Sequence, residues 1–227
     1  MVKLGRNLST LALVAGLAVA LPVQAAQVYA TSYSGRNGGD LGYGYMDDSY
    51  SGSGVGVSEG PLSGGLGDLT DGIIASASWT VVEAPVGPGP NVGWRSSQLL
   101  TSAMTFNFNP GTTITSIRLY LDDSRTGGVV APDQIWIDGV LSAYTQPVLA
   151  DPTLVVDLLG YNLTGLSHTI RFTNSSQWTF ASEISFFGGI VSGGVPEPAT
   201  WAMMLVGFGL MGTALRRRSA TRLATTA

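Results

Sequence analysis

Hydrophobic and polar residues alternate with a period of two along most of the chain between residues 68 and 190. This alternation is typical of β-strands with one buried and one exposed face. The predicted strands are 73–82, 103–108, 114–121, 129–137, 154–158, 168–172 and 178–187. Turns rich in Gly, Pro and Asp separate them, and no convincing helical period interrupts them. The pattern predicts an all-β protein with an antiparallel β-sandwich over residues 68–190.

The two ends of the chain have a different pattern, with one apolar run each. At the N-terminus, Lys3 and Arg6 precede the apolar residues 8–21, and small residues follow at Val23 and Ala25. This order predicts a signal peptide over residues 1–25 that forms a helix and is cleaved after Ala25. The alternative is an uncleaved N-terminal helix.

Near the C-terminus, residues 200–215 are uncharged and are followed by Arg216, Arg217 and Arg218. A helix of this length would span about 24 Å at roughly 1.5 Å per residue, against about 30 Å for the hydrocarbon core of a bilayer. We therefore expect a short, marginal transmembrane helix. The positive-inside rule places the basic tail 216–227 in the cytoplasm and the preceding residues outside.

A motif lies just before this helix, in the linker 191–199. Pro196, Glu197 and Pro198, the apolar run and the Arg cluster together resemble the PEP-CTERM sorting signal of Gram-negative bacteria. The resemblance implies recognition by a membrane-embedded exosortase and cleavage near the Pro-Glu-Pro motif. It also implies release to, or attachment at, the cell surface. The alternatives are a simple tail anchor and a GPI signal, and the Arg cluster argues against the latter.

The exported part has a more negative net charge than the whole chain. Residues 26–195 contain 14 acidic and five basic residues, a net charge of −9, whereas the whole chain has −4. Such a surface repels nucleic acid, because phosphate binding needs clustered bases, and it favours cations such as calcium. The chain has no Cys, which excludes disulfides, thiolate catalysis and Cys-ligated metals.

The segment 26–67 lacks regular alternation and is rich in Gly and Tyr. Residues 32–67 include 12 Gly residues, together with Tyr33, Tyr43, Tyr45 and Tyr50. Many Gly residues increase the entropy lost on ordering, so we expect a long loop or a partly disordered arm. The alternatives are a sticky segment that self-associates in a matrix and a few short strands.

Several motifs follow one another in a recognisable order between residues 68 and 189. They are Leu69-Thr70-Asp71-Gly72, Phe106-Asn107-Phe108, and the segments 114–120, 132–139 and 178–186. This succession resembles the galactose-binding-like jelly roll of discoidin and coagulation factor 5/8 C-type domains. The resemblance implies a structural calcium ion held by Asp71 and Glu183, with Asp68 nearby. The alternatives are an ordinary turn Asp and an exposed Glu on the last strand.

Aromatic residues suggest where a ligand could bind. Trp94 lies between Gly93 and Arg95, and Trp178 follows a polar segment, so both are expected in loops. An exposed Trp beside an Arg can stack on a sugar ring while the guanidinium bonds its hydroxyls. We therefore consider Trp94, Arg95 and Trp178 as glycan-binding residues. The alternative is that the sandwich buries its Trp residues.

Catalytic residues are not evident. His168 is the only His, and we expect it to be partly exposed at the start of a strand. Asp122 and Asp123 beside Arg125 are typical of a solvated turn, with a second cation site as the alternative. The sequence thus predicts a non-catalytic surface or matrix protein that binds exopolysaccharide. A self-assembling structural protein and a polysaccharide hydrolase are the alternatives.

Overall fold

The computed structural model describes residues 25–40, 42–83, 88–95, 103–190 and 203–211. Strands dominate these residues, as the alternation predicts. They are β1 (Ala26–Val28), β2 (Ser32–Arg36), β3 (Pro61–Gly65), β4 (Val92–Arg95), β5 (Met104–Asn107), β6 (Thr112–Asp123), β7 (Gln134–Ile137), β8 (Val140–Leu141), β9 (Asp151–Leu163), β10 (Ser167–Thr173) and β11 (Trp178–Ile190). One short helix, α1 (Trp79–Val82), lies between β3 and β4.

The strands form two antiparallel sheets. The first sheet has the order β1-β11-β6-β9, and β4 also pairs with β11. The second sheet has the order β3-β2-β5-β10-β7-β8. Strand β11 is long because its first residues pair with β4 and its last residues pair with β1, while β6 pairs along its other edge. This strand therefore connects most of the first sheet.

Apolar side chains from the two sheets meet in one core. The rings of Phe106 on β5 and Phe186 on β11 lie 5.0 Å apart, and those of Trp94 on β4 and Phe172 on β10 lie 6.0 Å apart. Each pair joins one sheet to the other, and all four side chains are buried. The sheets thus pack face to face, which is the arrangement of a β-sandwich.

The Gly/Tyr-rich segment is part of this sandwich, so the expected loop or disordered arm is wrong. It contributes β1 to the first sheet and β2 and β3 to the second. Tyr33 is fully buried, packs on the rings of Tyr50 and Phe106, and donates its hydroxyl to Asp47. The long-range contacts of these tyrosines offset the entropy cost of the Gly residues.

The predicted strand over residues 73–82 is also wrong. Residues 73–78 are not in a strand, and α1 begins at Trp79, whose backbone N–H donates to the Asp122 carboxylate at 2.6 Å. Ile73 and Ile74 are exposed, so their apolar character does not reflect burial in a sheet. The predicted strand 129–137 begins only at Gln134, because residues 124–133 form a loop.

The two ends of the chain are only partly described. Residues 1–24, the linker 191–199 and the Arg cluster lie outside the described residues, as does the predicted signal helix. Residues 203–211 are helical and exposed. Among the described residues, no helix has the length and apolar character needed to cross a membrane. The predicted transmembrane helix 200–215 therefore stays a prediction.

Candidate functional site

Two loops meet at one end of the sandwich, the β6–β7 loop and the β10–β11 loop. The N–H of Val130 donates to the carbonyl of Trp178 at 3.1 Å, and the N–H of Trp178 donates to the carbonyl of Gly128 at 3.0 Å. A parallel β-bridge joins Val129 and Trp178. We call the paired segments 128–130 and 176–178 the ridge, because a cavity lies against it on either side.

The first cavity has a volume of about 210 Å³ and is mostly aromatic. Its lining residues are Tyr43, Tyr45, Trp79, Arg95, Gly127, Val129, Gln177, Trp178 and Phe180. The rings of Tyr43 and Tyr45 are stacked at 6.1 Å, and Trp178 meets Tyr45 edge-on at 5.3 Å. We call this the aromatic cavity. The ring contacts hold its shape, since edge-to-face and offset-stacked pairs are favourable geometries.

Trp79 forms one wall of the aromatic cavity and is held in place by two hydrogen bonds. Its Nε1–H donates to the carbonyl of Thr126 at 3.2 Å, and its backbone N–H is bound by Asp122. Gly127 has φ +61° and lies so close that a Cβ there would be 2.7 Å from the indole ring. Glycine fits this close approach and this backbone conformation. The indole is therefore positioned before any ligand arrives.

The groups that face solvent differ in chemistry. Tyr43 is 50% exposed, Trp79 is half-buried, and the Arg95 side chain is 45% exposed while it pairs with Asp40. Aromatic faces attract the C–H groups of a pyranose ring, and a guanidinium donates hydrogen bonds to hydroxyl or carbonyl oxygens. The aromatic cavity thus combines the two kinds of contact that a sugar ring needs.

The structure separates the three residues that the sequence suggested for glycan binding. Trp94 is not a loop residue: it lies in β4, is fully buried, and donates its Nε1–H to the carbonyl of Arg36 at 2.9 Å. Trp178 begins β11 and is 6% exposed, so it too lies in a strand. Arg95 and Trp178 nevertheless both line the aromatic cavity, and Trp94 does not.

Sequence reasoning missed Tyr43, Tyr45 and Trp79 as members of one site. They come from the Gly/Tyr-rich segment and from a stretch that was predicted to be a strand. The clustering of Tyr residues was visible in the sequence, but nothing local indicated that they meet Trp178. Long-range packing brings them together.

A second cavity, of about 340 Å³, lies on the other side of the ridge and is more polar. We call it the polar cavity. Its lining residues are Asp123, Arg125, Val130, Asp133, Gln146, Pro147, Val148, Ser175 and Ser176. Asp122 and Asp123 are buried, so the expected solvated turn is wrong. Asp123 accepts a hydrogen bond from the N–H of Ala131 at 3.0 Å and pairs with Arg125.

The residues suggested for calcium lie at a different place, where the 69–72 turn meets β11. The N–H of Gly72 donates to Glu183 Oε2 at 3.0 Å, and the N–H of Ile184 donates to the carbonyl of Leu69 at 2.9 Å. Asp71 caps its own turn by accepting from the N–H of Ile73 at 2.8 Å. Glu183 is buried, not exposed. The Asp-Gly turn and the Glu-Ile strand therefore meet, as the resemblance implies.

Burial changes the titration of this corner. The pKa of Glu183 is raised to about 7, first by burial and to a smaller extent by the charge of Asp71. The pKa of Asp68 is raised to about 7, again by burial, while a hydrogen bond from Ser49 opposes the shift. Asp47 and Asp48 add like charge near Asp68.

The donor set at the corner consists of oxygen atoms, which suits calcium. However, among the described residues no group of three or more Asp, Glu, His or Cys side chains is placed to hold a metal ion. Asp68 is engaged by Ser49 and by the N–H of Asp48. A calcium ion at this corner would therefore rely on Asp71, Glu183 and backbone carbonyls.

His168 is buried, contrary to the expected partial exposure, and has a partner that the sequence did not reveal. Its Nδ1 lies 2.7 Å from Oδ2 of Asp138, which follows β7 in a tight turn. The N–H of Thr169 donates to the other oxygen of the same carboxylate at 2.7 Å. This pair ties the β7–β8 turn to β10. It lies apart from both cavities, since neither residue lines them.

Comparison with known proteins confirms the sorting motif. Residues 194–218 match the PEP-CTERM protein-sorting motif. The motif implies export, a membrane-anchored precursor and processing by an exosortase for the cell surface. No curated protein matches the chain significantly.

Several solved structures are similar to the chain. A chain of the Streptococcus pneumoniae β-galactosidase BgaA matches at 9% identity and a TM-score of 0.45, covering 73% of this chain and all of that one. The family 32 carbohydrate-binding module of C. perfringens NanJ, solved with galactose, matches at 13% identity and a TM-score of 0.30. The match covers 45% of this chain and 80% of that one. SpGH29 matches at 16% identity and a TM-score of 0.29, covering 53% of this chain and 23% of that one. Likeness at these TM-scores assigns no ligand to this chain.

Proposed function

We propose that this protein is an exported, non-catalytic protein of the cell surface or extracellular matrix that binds carbohydrate through the aromatic cavity. The partner is exopolysaccharide, and the sandwich is a jelly roll of the galactose-binding-like type. The observation that supports this most is the combination of Tyr43, Trp79 and Arg95 around one preformed cavity. Aromatic faces beside a few polar groups are typical of small-molecule sites.

A binding role fits this site better than a hydrolytic role. The single His lies at the β7–β8 turn with Asp138, away from the aromatic cavity. Among the residues that the structure describes, none lining this cavity carries a carboxylate, whereas glycoside hydrolysis generally uses a pair of them on either side of the bond. We therefore propose that the ligand leaves the site unchanged.

A self-assembling matrix protein is the alternative. It would use the Gly/Tyr-rich segment as an adhesive arm. Tyr33 and Tyr50 of that segment are buried in the sandwich core, so they are not available for contacts with a second molecule. The packing of this segment thus favours the binding role.

The test of glycan binding uses Tyr43→Ala, because half of this side chain is exposed and its loss should not unfold the sandwich. We expect wild type to bind glycans from the organism's own exopolysaccharide saturably, and the variant to lose at least about tenfold in affinity, roughly 1.4 kcal/mol. Isothermal titration calorimetry measures both. Tyr29→Ala is the matched control, since Tyr29 is exposed but lies outside the aromatic cavity.

Two outcomes would contradict the proposal. One is that no glycan binds wild type on a broad array, and the other is that Tyr43→Ala and Tyr29→Ala bind equally well. Hydrolysis of any glycan would instead support the enzymatic alternative. Trp94→Ala is unsuitable for this purpose, because removing a fully buried Trp costs about 3–5 kcal/mol of stability whatever the ligand does.

We further propose a structural calcium ion where the 69–72 turn meets β11. The support for it is the hydrogen bond from the N–H of Gly72 to Glu183, which places the turn with Asp71 against the strand, together with the excess of acidic residues in the exported part. When bound, calcium would neutralise the buried Glu183 carboxylate and hold the turn to the strand.

A further inference from the structure

In the described part of the chain, the ridge lies between the aromatic and polar cavities and contributes residues to both. Val129 lines the aromatic cavity, and its neighbour Val130 lines the polar cavity. In the other segment, Gln177 lines the aromatic cavity and Ser176 lines the polar cavity. Neighbouring residues of each segment thus line different cavities, and the two segments are joined by the bridge between Val129 and Trp178. Paired segments lie only about 4.8 Å apart. A ligand that fills one cavity therefore needs to extend by little more than the width of the ridge to reach the other.

We propose that the polar cavity is a second sugar subsite and that the ligand is an uncharged glycan chain lying across the ridge, with one sugar unit in each cavity. This inference rests on the proposed function of the aromatic cavity. It defines the class of ligand: an internal stretch of a linear chain, rather than a single terminal sugar.

The polar cavity offers both hydrogen-bond acceptors and donors. Asp133 accepts from the N–H of Ser175 at 2.7 Å and from Gln146 at 3.4 Å. An ionised carboxylate has about four acceptor positions, so Asp133 can accept further hydrogen bonds from hydroxyls. Arg125 donates to Asp123 and to the carbonyl of Pro147, and its side chain is partly exposed. A guanidinium has five N–H donors, which leaves some for a ligand oxygen.

The same cavity has an apolar side. Pro147 and Val148 lie on its rim, and Val148 is 85% exposed. A sugar ring presents hydroxyls at its edge and C–H groups on its face, and burial of these C–H groups is favourable. The polar cavity thus matches the mixed character of a sugar unit, as the aromatic cavity does.

Charge favours an uncharged chain over an acidic one. Of the described residues that line the polar cavity, Asp123 and Asp133 are acidic and Arg125 alone is basic. Residues 26–195 as a whole have a net charge of −9. A chain of uronic acids would approach this surface against Coulomb repulsion, whereas a neutral chain would not.

The first part of the test varies chain length and charge. Wild-type protein is titrated calorimetrically with a single neutral sugar that binds on an array, with neutral oligosaccharides of increasing length built from it, and with uronic-acid oligosaccharides of matched length. We expect the affinity for neutral chains to rise at least about tenfold when the second unit is added and then to level off. The uronic-acid chains should bind more weakly.

The second part uses two neighbouring exposed residues. Val148 lines the polar cavity, whereas Leu149, which is 79% exposed, does not. In Val148→Arg we expect Asp133 to attract the long side chain, which then fills the cavity. We expect this variant to bind oligosaccharides only as well as the single sugar, whereas Leu149→Arg keeps the gain of the longer chain.

The outcomes separate the two proposals. If no sugar binds wild type, both are overturned. If the single sugar binds and Tyr43→Ala abolishes its binding, but chain length has no effect, only the second subsite is overturned. The same holds if Val148→Arg retains the full gain. Uronic-acid chains that bind as tightly as neutral ones would overturn the assignment of an uncharged ligand.

Discussion

Whether a side chain is buried or exposed determines its role in this protein, and two residues that are adjacent in sequence can differ in this respect. Trp94 and Arg95 are adjacent in β4, and side chains alternate between the two faces of a strand. The indole of Trp94 consequently enters the core and packs near Phe172, while Arg95 reaches the aromatic cavity. The sequence suggested both residues for the same role, but only the direction of each side chain separates the core residue Trp94 from the cavity-lining residue Arg95.

The buried carboxylates Asp68 and Glu183 should make stability depend on pH. Their pKa values are about 7 in the folded protein, whereas unfolded Asp and Glu have values of roughly 4. Between these values the folded state binds more protons than the unfolded state, so the free energy of unfolding falls as pH rises. Their contribution is fully present below about pH 4 and is lost as pH rises through about 7. Urea denaturation at a series of pH values, without calcium, measures this.

The double variant Asp68→Asn, Glu183→Gln removes both titrating groups while keeping an oxygen acceptor at each position. We expect it to flatten the decline of stability between about pH 4 and pH 7. Asp157→Asn is the control, because Asp157 is exposed and pairs with Arg118. An unchanged slope in the double variant would show that other groups determine the pH dependence.

At the scale of elements, β11 determines much of the architecture, because it pairs with β1, β4 and β6. It also receives the 69–72 turn through the hydrogen bond from Ile184 to Leu69. The predicted calcium site lies where this turn meets the strand. An ion there would link two elements that are far apart in sequence.

Calcium should therefore raise the melting temperature of wild type. Asp71→Ala, Glu183→Ala should lose this response, because the two side-chain ligands are gone. The wild-type response should be larger at pH 8 than at pH 5, since binding needs ionised carboxylates. Differential scanning calorimetry with calcium or with a chelator measures it. An equal shift in the double variant would exclude the assigned ligands.

Strands with clear alternation could be predicted from the sequence. The predictions over residues 103–108, 114–121, 168–172 and 178–187 correspond to β5, β6, β10 and β11. Strands β2, β3 and β4 were missed because Gly and Ser residues interrupt their alternation. Their place depends on partners that are distant in sequence, such as the pairing of Tyr33 with Phe106.

At the scale of the whole molecule, the sorting motif determines where the folded domain goes. The Pro-Glu-Pro motif and the Arg cluster fall inside the matched residues 194–218. Processing by an exosortase would separate the acidic sandwich from the basic tail. The exported part then has a more negative charge than the full chain.

The intact mass of protein extracted from the cell surface should give a C-terminus near Pro196, because cleavage near the motif is implied by the PEP-CTERM match. A variant with Pro196, Glu197 and Pro198 all changed to Ala should instead keep its tail. Electrospray mass spectrometry distinguishes the two. A wild-type mass that includes Ala227 would show that the tail is an anchor rather than a processed signal.

The sequence by itself determined the destination of this protein and the all-β class. Both depend on local patterns: a contiguous motif that lies within 25 residues, and a period-two alternation within each strand. Only the tertiary structure determined which residues form the aromatic cavity. Tyr43, Trp79, Arg95 and Trp178 meet at one end of the sandwich although they are widely spaced along the chain. Long-range packing determines which of these side chains are buried and which are exposed to solvent, and the local sequence pattern does not specify this.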